Sequence, residues 1–98
     1  MEKNTPHCKL LRIKALVGAG KFRATRSALL GAANLGMDLD DIVDVILNLS
    51  WFDFYKSMTS LGDHRVWQDV YRPLVGLKRI YLKLTVVDDV LIVSFKEL

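Results

Sequence analysis

The residues whose types and spacing could do chemistry are cations, tyrosines and an amide that alternate with apolar residues in the second half of the sequence. They are Tyr55, Lys56, Gln68, Arg72, Tyr81 and Lys83. Residues two apart on a β-strand share a face, so neighbouring strands would gather such side chains on one side of a sheet. Aromatic rings stack on bases while cations hold phosphates, which suits single-stranded RNA. The outward face of any half-solvated sheet alternates in the same way, and the spacing leaves both interpretations open.

Several large enzyme classes are excluded because their motifs are missing. The sequence has no glycine-rich phosphate loop, dinucleotide fingerprint, His-Glu-x-x-His pair or Gly-x-Ser-x-Gly elbow. Cys8, His7 and His64 show no recognisable metal-ligand spacing, so we expect neither a metal nor another cofactor. The two histidines could act as acid and base in RNA cleavage. Solvated histidines are the favoured interpretation, because His7 lies at a predicted helix start and His64 in a polar loop.

The length and composition predict a single soluble domain over residues 1–98. Of the 98 residues, 51% are hydrophobic and 26% are charged, a balance that excludes intrinsic disorder. Charges recur too often for a membrane-spanning helix, and the N-terminus lacks the cleavage pattern of a secretory signal, so we expect no membrane partner. A single cysteine cannot form an internal disulfide, which favours a reduced, cytosolic setting.

The net charge of +3 is unevenly distributed along the chain. Residues 1–36 carry many cations and a single acid, Glu2, whereas residues 37–53 carry aspartates and no cation. Residues 54–87 are basic again. The basic segments have the balance expected of a surface that meets phosphates, although scattered solubilising charges give the same composition.

Helical periodicity fills the first half of the sequence. Thr5 and Pro6 predict the cap and first position of a helix over residues 6–19. A second helix begins after Thr25 or Ser27 and closes at residues 34–36, and a third is capped by Asp38. The apolar residues of the third helix that face the core are Ile42, Val45, Ile46 and Leu49. The last two helices imitate a helix-turn-helix, but residues 39–50 carry aspartates and no cation, which would repel DNA, so a plain helical hairpin is favoured.

After Ser50 the apolar period changes to two, which is typical of strands. Four strands are predicted, over residues 54–59, 66–71, 80–86 and 90–95. The links between them are short enough for hairpins, so we expect an antiparallel meander. A short strand over residues 21–24 is predicted to pair along an edge. The predicted class is α+β, with N-terminal helices packed on one face of a mostly antiparallel C-terminal sheet.

Five long blocks of the sequence match a known family. They are residues 1–3 with 5–7, 25–30, 53–59, 67–73 and 89–97. These blocks closely resemble the MqsR toxins, or motility quorum-sensing regulators, from end to end. The resemblance implies a RelE-like toxin fold and a bacterial cytoplasmic toxin of a type II toxin-antitoxin system. It also implies the activity of a sequence-selective mRNA endoribonuclease, or mRNA interferase, that cleaves at short sites beginning with GC.

The resemblance implies two sets of site residues. Lys56, Gln68 and Tyr81 fall on the residues that activity depends on, and Tyr55, Met58 and Arg72 match the surrounding substrate surface. These side chains suit metal-free cleavage in which the RNA 2'-hydroxyl is the nucleophile. Lys56 would stabilise the phosphorane charge, and Gln68 would hold the phosphate or the 2'-hydroxyl. Tyr81 can act as acid or base if Lys56 or Lys83 lowers its pKa from about 10.

The partners implied by the resemblance are mRNA and a cognate MqsA-type antitoxin. Such an antitoxin binds zinc and carries a helix-turn-helix, so this chain would reach DNA only through it. We expect the antitoxin to use the acidic stretch from Asp38 to Asp44 and an edge of the sheet, which an RNA-binding basic face leaves free.

The sequence departs from the family pattern in four places. They are residues 11–22, the pair Trp51-Phe52, the pair Leu61-Gly62, and residues 74–79. These positions are mostly helix faces and loops, so RNA sequence preference and antitoxin choice are the properties expected to differ. Two other classes remain open from the residues alone: a non-catalytic RNA-binding module, and a corepressor that acts through its antitoxin on DNA.

Overall fold

The computed structural model describes all 98 residues as three helices and a seven-stranded sheet. The strands are β1 (Glu2–Lys3), β2 (Phe22–Ala24), β3 (Phe54–Thr59), β4 (Trp67–Tyr71), β5 (Leu74–Val75), β6 (Lys78–Val86) and β7 (Val90–Glu97). The helices are α1 (Leu10–Gly18), α2 (Arg26–Ala33) and α3 (Leu39–Leu47), and a 3₁₀ turn (Trp51–Asp53) leads into β3. The predicted α+β class is confirmed. None of the helices is long and apolar enough to cross a membrane.

The sheet has the strand order β1-β3-β4-β6-β7-β2, and β5 pairs with β6. The strands from β3 to β7 along this path are antiparallel neighbours, so the predicted meander is confirmed. The predicted edge strand is also confirmed as β2, which pairs with β7 in parallel and makes the sheet mixed. The sequence did not predict β1 and β5, because a two-residue strand is too short to show alternation.

The N-terminal ends of α2 and α3 are capped as predicted. The Thr25 hydroxyl accepts a hydrogen bond from the backbone N–H of Ala28 at 3.1 Å. The Asp38 carboxylate accepts from the N–H of Asp41 at 3.0 Å, and the Asp41 carboxylate accepts in return from the N–H of Asp38 at 2.9 Å. This reciprocal capping box satisfies two backbone donors that a helix end leaves free.

The predicted start of the first helix is wrong. The helix begins at Leu10, with Lys9 as its cap, rather than at Pro6. The cause is Asp69 on β4, whose carboxylate accepts the backbone N–H groups of His7 at 2.9 Å and Cys8 at 3.0 Å. Because these donors are held by the sheet, the segment before Leu10 lies across it as an irregular bend instead of joining the helix.

The core lies between the three helices and one face of the sheet. The helices contribute Ile13, Val17, Ala28, Ala32, Ile42 and Ile46, and the strands contribute Tyr71, Ile80, Leu82, Leu84, Val90, Ile92 and Phe95. The predicted core residues of the third helix are confirmed, with Leu49 buried just after the helix and Val45 at the margin of the core. The opposite face of the sheet carries no helix and is therefore open for function.

Helix α2 crosses β7 so closely that Gly31 touches its backbone. A Cβ atom at Gly31 would overlap the carbonyl oxygen of Phe95. We expect Gly31→Ala to lower the free energy of unfolding by about 2–3 kcal/mol, because the backbones must separate and this outweighs the better helix propensity of alanine. Urea denaturation measures the change. Gly18→Ala in α1 is the matched control, since nothing lies within 4 Å of its Cβ position. Equal stability of the two variants would contradict the close packing.

Candidate active site

The face of the sheet opposite the helices brings the predicted catalytic residues together. Lys56 on β3 pairs with Val70 on β4, and Met58 pairs with Gln68. Val70 pairs in turn with Lys83 on β6. Paired residues in adjacent strands share a face, and so do residues two apart in one strand. Lys56, Gln68 and Tyr81 therefore lie on three consecutive strands of the same open face.

A β-bulge at the start of β3 places two adjacent residues of the predicted site on this face. The register shifts between Phe54 and Lys56, with Tyr55 between them. Phe54 packs inward with its ring edge against Tyr71, at a centroid distance of 5.5 Å. Both Tyr55 and Lys56 then face outward, with the Lys56 ammonium 5.4 Å from the Tyr55 ring centroid. Bulges re-aim side chains in this way next to functional sites.

The predicted substrate residues surround the predicted catalytic residues. The Arg72 guanidinium carbon lies 4.3 Å from the centroid of the Tyr55 ring, so two cations, Lys56 and Arg72, lie within reach of this half-exposed ring. Met58 is half-buried beside Gln68 on the neighbouring strand. All six residues predicted for the site thus belong to one continuous surface.

Two charged residues of this surface were not predicted from the sequence. The Lys96 ammonium lies 5.5 Å from the centroid of the Tyr81 ring, with which Lys96 pairs between β7 and β6. Its only sequence signal is the alternation of polar Ser94 and Lys96 at the end of the last strand. The second residue is Glu2 on β1. The only feature of the sequence that could have pointed to it is that it is the single acid of residues 1–36.

Glu2 forms an ion pair with Lys56. Strand β1 pairs with β3 and places the Glu2 carboxylate 2.8 Å from the Lys56 ammonium. This hydrogen bond and charge raise the pKa of Lys56 above its ordinary value, and Lys56 lowers the pKa of Glu2. The Lys56 side chain is only 22% exposed, so its ammonium is held in place and charged on the open face.

The two histidines lie away from this surface. His7 stacks on Trp67 at a centroid distance of 5.6 Å, and its Nδ1 lies 3.1 Å from the Lys3 ammonium. Trp67 pairs with Thr59 and so belongs to the opposite side of the sheet from Met58 and Lys56. His64 is exposed in the loop before β4, and His7 is exposed as well. The favoured interpretation of solvated histidines is confirmed.

The fold and its open face define a class of protein: an α+β domain that carries lysines, an arginine and tyrosines on a bare sheet face, side chains of the types that suit a phosphate-rich polymer. Residues 5–97 match the family described as "Motility quorum-sensing regulator, toxin of MqsA". The mRNA interferase toxin MqsR of Escherichia coli (strain K12) is 60% identical over 97 residues, which cover 99% of each chain. The protein belongs to the MqsR toxin family, as its sequence blocks predicted.

Proposed function

We propose that this protein is a toxin that cleaves mRNA as an endoribonuclease at its bare sheet face. The observation that carries the proposal is that Lys56, Gln68 and Tyr81 meet on three adjacent strands, beside rings and cations suited to RNA. The name of the E. coli relative, an mRNA interferase toxin at 60% identity, supports the same activity.

The chemistry we propose uses the RNA as its own nucleophile. The 2'-oxygen forms a bond to the adjacent phosphorus, the bond from phosphorus to the 5'-oxygen breaks, and the proton of the 2'-hydroxyl leaves to a base. The 5'-oxygen receives a proton as it departs. The products are a 2',3'-cyclic phosphate, which can open to a 3'-phosphate, and a 5'-hydroxyl. The protein must therefore align the 2'-oxygen, stabilise the extra negative charge and transfer protons.

Each catalytic residue has a role that its position supports. Lys56 carries a fixed ammonium on the open face and stabilises the charge that develops on the phosphorane oxygens. Tyr81 donates or accepts the proton through its hydroxyl, with Lys96 near its ring. Gln68 has no proton to transfer and holds the phosphate or the 2'-hydroxyl by hydrogen bonds.

The substrate contacts in this proposal are Tyr55, Met58 and Arg72. The Tyr55 ring is half-exposed and can stack on a base, while Arg72 beside it can pair with a phosphate. Met58 offers an apolar contact next to Gln68. We further propose cleavage at short sites that begin with GC, a location in the bacterial cytoplasm, and a reaction that needs neither metal nor cofactor.

The regulatory partner we propose is an MqsA-type antitoxin that binds zinc and carries a helix-turn-helix. The description of the family as the toxin of MqsA supports this assignment. The acidic start of α3 lies on the helical side of the sheet, and β1 and β2 form its two edges. A partner on these surfaces would inhibit without covering Tyr81, and DNA would be reached only through that partner.

A cleavage assay tests the proposed function. The purified protein is incubated with a transcript in buffer and in EDTA, and the ends of the fragments are analysed. We expect full cleavage in both conditions, with cyclic or 3'-phosphate and 5'-hydroxyl ends. Intact RNA that is bound by the protein would favour the RNA-binding module instead. Activity lost in EDTA and restored by Mg²⁺ or Zn²⁺ would disprove the metal-free reaction.

The ion pair between Glu2 and Lys56 gives a further prediction. Glu2→Gln is expected to tighten RNA binding about two- to fivefold near pH 7, because the carboxylate competes with phosphate for Lys56. The pair is intact between the ordinary pKa values of 4.5 for Glu2 and 10.5 for Lys56. It is lost as the pH falls through the lowered pKa of Glu2, or rises through the raised pKa of Lys56.

Fluorescence anisotropy with a labelled 2'-O-methyl RNA, which binds without being cut, measures this effect. Asp88→Asn in the exposed turn between β6 and β7 is the control, since it removes the same charge at the far end of the sheet. If Glu2→Gln binds no more tightly than Asp88→Asn, the Glu2 carboxylate does not compete with the substrate.

A further inference from the structure

A cleft adjoins the candidate active site at the end of the sheet where β3 begins and β7 ends. It has a volume of about 260 Å³, and its walls include Phe52, Tyr55, Arg72, Arg79 and Leu98. Tyr55 and Arg72 also belong to the active-site surface described above. Phe52 and Arg79 are not among the proposed catalytic or substrate-binding residues. The cleft therefore extends the active-site surface beyond those residues.

Two side chains of the cleft, Phe52 and Arg79, are exposed to solvent. Phe52 follows Ser50 and Trp51 in the 3₁₀ turn and is 92% exposed, which is unusual for a large apolar ring. Arg79 at the start of β6 donates from Nη1 to the carbonyl oxygen of Arg72 at 3.0 Å. This single bond orients the guanidinium at the mouth of the cleft and leaves its other N–H groups available to a ligand.

The charged side chains of the cleft are two cations and one acid. Asp53 contributes the one acidic side chain of its walls, against the guanidinium groups of Arg72 and Arg79. The Asp53 carboxylate already accepts a hydrogen bond from the backbone N–H of Ser50 at 2.7 Å. A ligand with a planar ring and a phosphate therefore matches the exposed Phe52 ring and the exposed Arg79.

The cleft is connected to the catalytic lysine by a continuous row of groups. The Tyr55 ring has the Lys56 ammonium 5.4 Å from its centroid and the Arg72 guanidinium carbon 4.3 Å from it. Arg72 in turn contacts Arg79. An RNA strand with its cleaved phosphate at Lys56 can thus follow Tyr55 and Arg72 into the cleft without leaving a basic, aromatic surface.

We propose that this cleft is a second RNA subsite that binds a nucleotide beyond those that flank the cleaved bond. Phe52 stacks on its base, and Arg79 binds its phosphate. The inference rests on the proposed function, and it concerns residues that lie where the sequence departs from the family pattern, in the Trp51-Phe52 pair and in residues 74–79. The subsite is then a determinant of the RNA preference of this particular chain.

The test measures binding of 2'-O-methyl RNAs of two lengths by fluorescence anisotropy. A trinucleotide fills the active site, and a hexanucleotide reaches the cleft as well. We expect Phe52→Ala to weaken hexanucleotide binding about tenfold, the typical effect of losing one base stack, and to leave trinucleotide binding unchanged. Arg79→Ala should weaken hexanucleotide binding similarly and reduce the slope of log K against log salt by about 0.7.

Two control variants separate a subsite from general effects. Leu77→Ala removes a fully exposed apolar side chain outside the cleft, and Arg23→Ala removes a cation from β2 at the far edge of the sheet. If Arg79→Ala and Arg23→Ala weaken hexanucleotide binding equally, the effect comes from net charge alone, and the proposal is overturned. Equal losses for both RNA lengths would overturn it as well.

Two further outcomes keep the subsite and the proposed function distinguishable. If Phe52→Ala and Arg79→Ala leave RNA binding unchanged but weaken the antitoxin complex, the cleft is a protein-binding surface and the proposal is wrong. If wild-type protein binds the hexanucleotide through the cleft but never cleaves unmodified RNA, the subsite is supported and the proposed endoribonuclease function fails.

Discussion

Cleavage is expected to vanish completely when every 2'-hydroxyl of an RNA substrate is replaced by 2'-O-methyl. The proposed reaction has no other nucleophile, because the roles proposed for Lys56, Gln68 and Tyr81 are to position the RNA, transfer protons and stabilise charge, and none of them attacks phosphorus. The measurement is a gel of wild-type protein with matched substrates that differ only in the sugar. Binding of the modified RNA, followed by anisotropy, should remain close to that of the natural RNA.

A substrate with one ribonucleotide in a 2'-O-methyl background provides the positive control. Placed at the preferred site, that single hydroxyl should restore cleavage at the bond that follows it and at no other. Any cutting of the fully modified RNA would mean that a water molecule or a protein group attacks the phosphate, and the proposed chemistry would have to be abandoned.

Lys56→Ala, Gln68→Ala and Tyr81→Phe are each expected to lower kcat/KM by at least roughly a hundredfold, the usual effect of losing a charge stabiliser or a proton-transfer group. All three positions lie on the open face of the sheet, so the fold should survive. Single-turnover cleavage of a defined oligonucleotide measures the rate, and circular dichroism confirms folding. If a variant is folded and still cuts at the wild-type rate, the substituted residue is not catalytic.

Matched variants sharpen the assignment of Lys56. Lys21→Ala removes an exposed lysine just before β2, at the far edge of the sheet, and should leave the rate nearly unchanged. Lys56→Arg keeps the charge while altering its geometry, so partial recovery over Lys56→Ala is expected if the role is electrostatic. No recovery would indicate that the position of the ammonium, rather than its charge, decides the rate.

Much of the fold could be predicted from the sequence because it depends on local periodicity. The four long strands and the capped starts of α2 and α3 follow from alternation and from capping side chains in the segments themselves. The start of α1 could not be predicted. It depends on Asp69, a residue about sixty positions away that captures the N–H groups of His7 and Cys8.

The candidate site, like the fold, has features that could be predicted from the sequence and features that could not. Strict alternation would place consecutive residues such as Tyr55 and Lys56 on opposite faces, and only the β-bulge turns both outward. Glu2 could not be connected with Lys56 because β1 is too short to be predicted, and its pairing with β3 joins distant segments. The proposed catalytic residues come from the resemblance, whereas the positions of their neighbours Glu2 and Lys96 depend on strand order.

The strand order also determines when a newly made chain can become active. The neighbours of the sheet are far apart in sequence: Glu2 meets Lys56, 54 residues later, and β2 pairs with β7 near the other end of the chain. Contacts between distant segments form slowly, since their loops must close first. Tyr81 lies on β6, so the proposed active face cannot assemble until most of the chain has left the ribosome. A protein proposed to cut messages is therefore inactive while most of its own message is still being read.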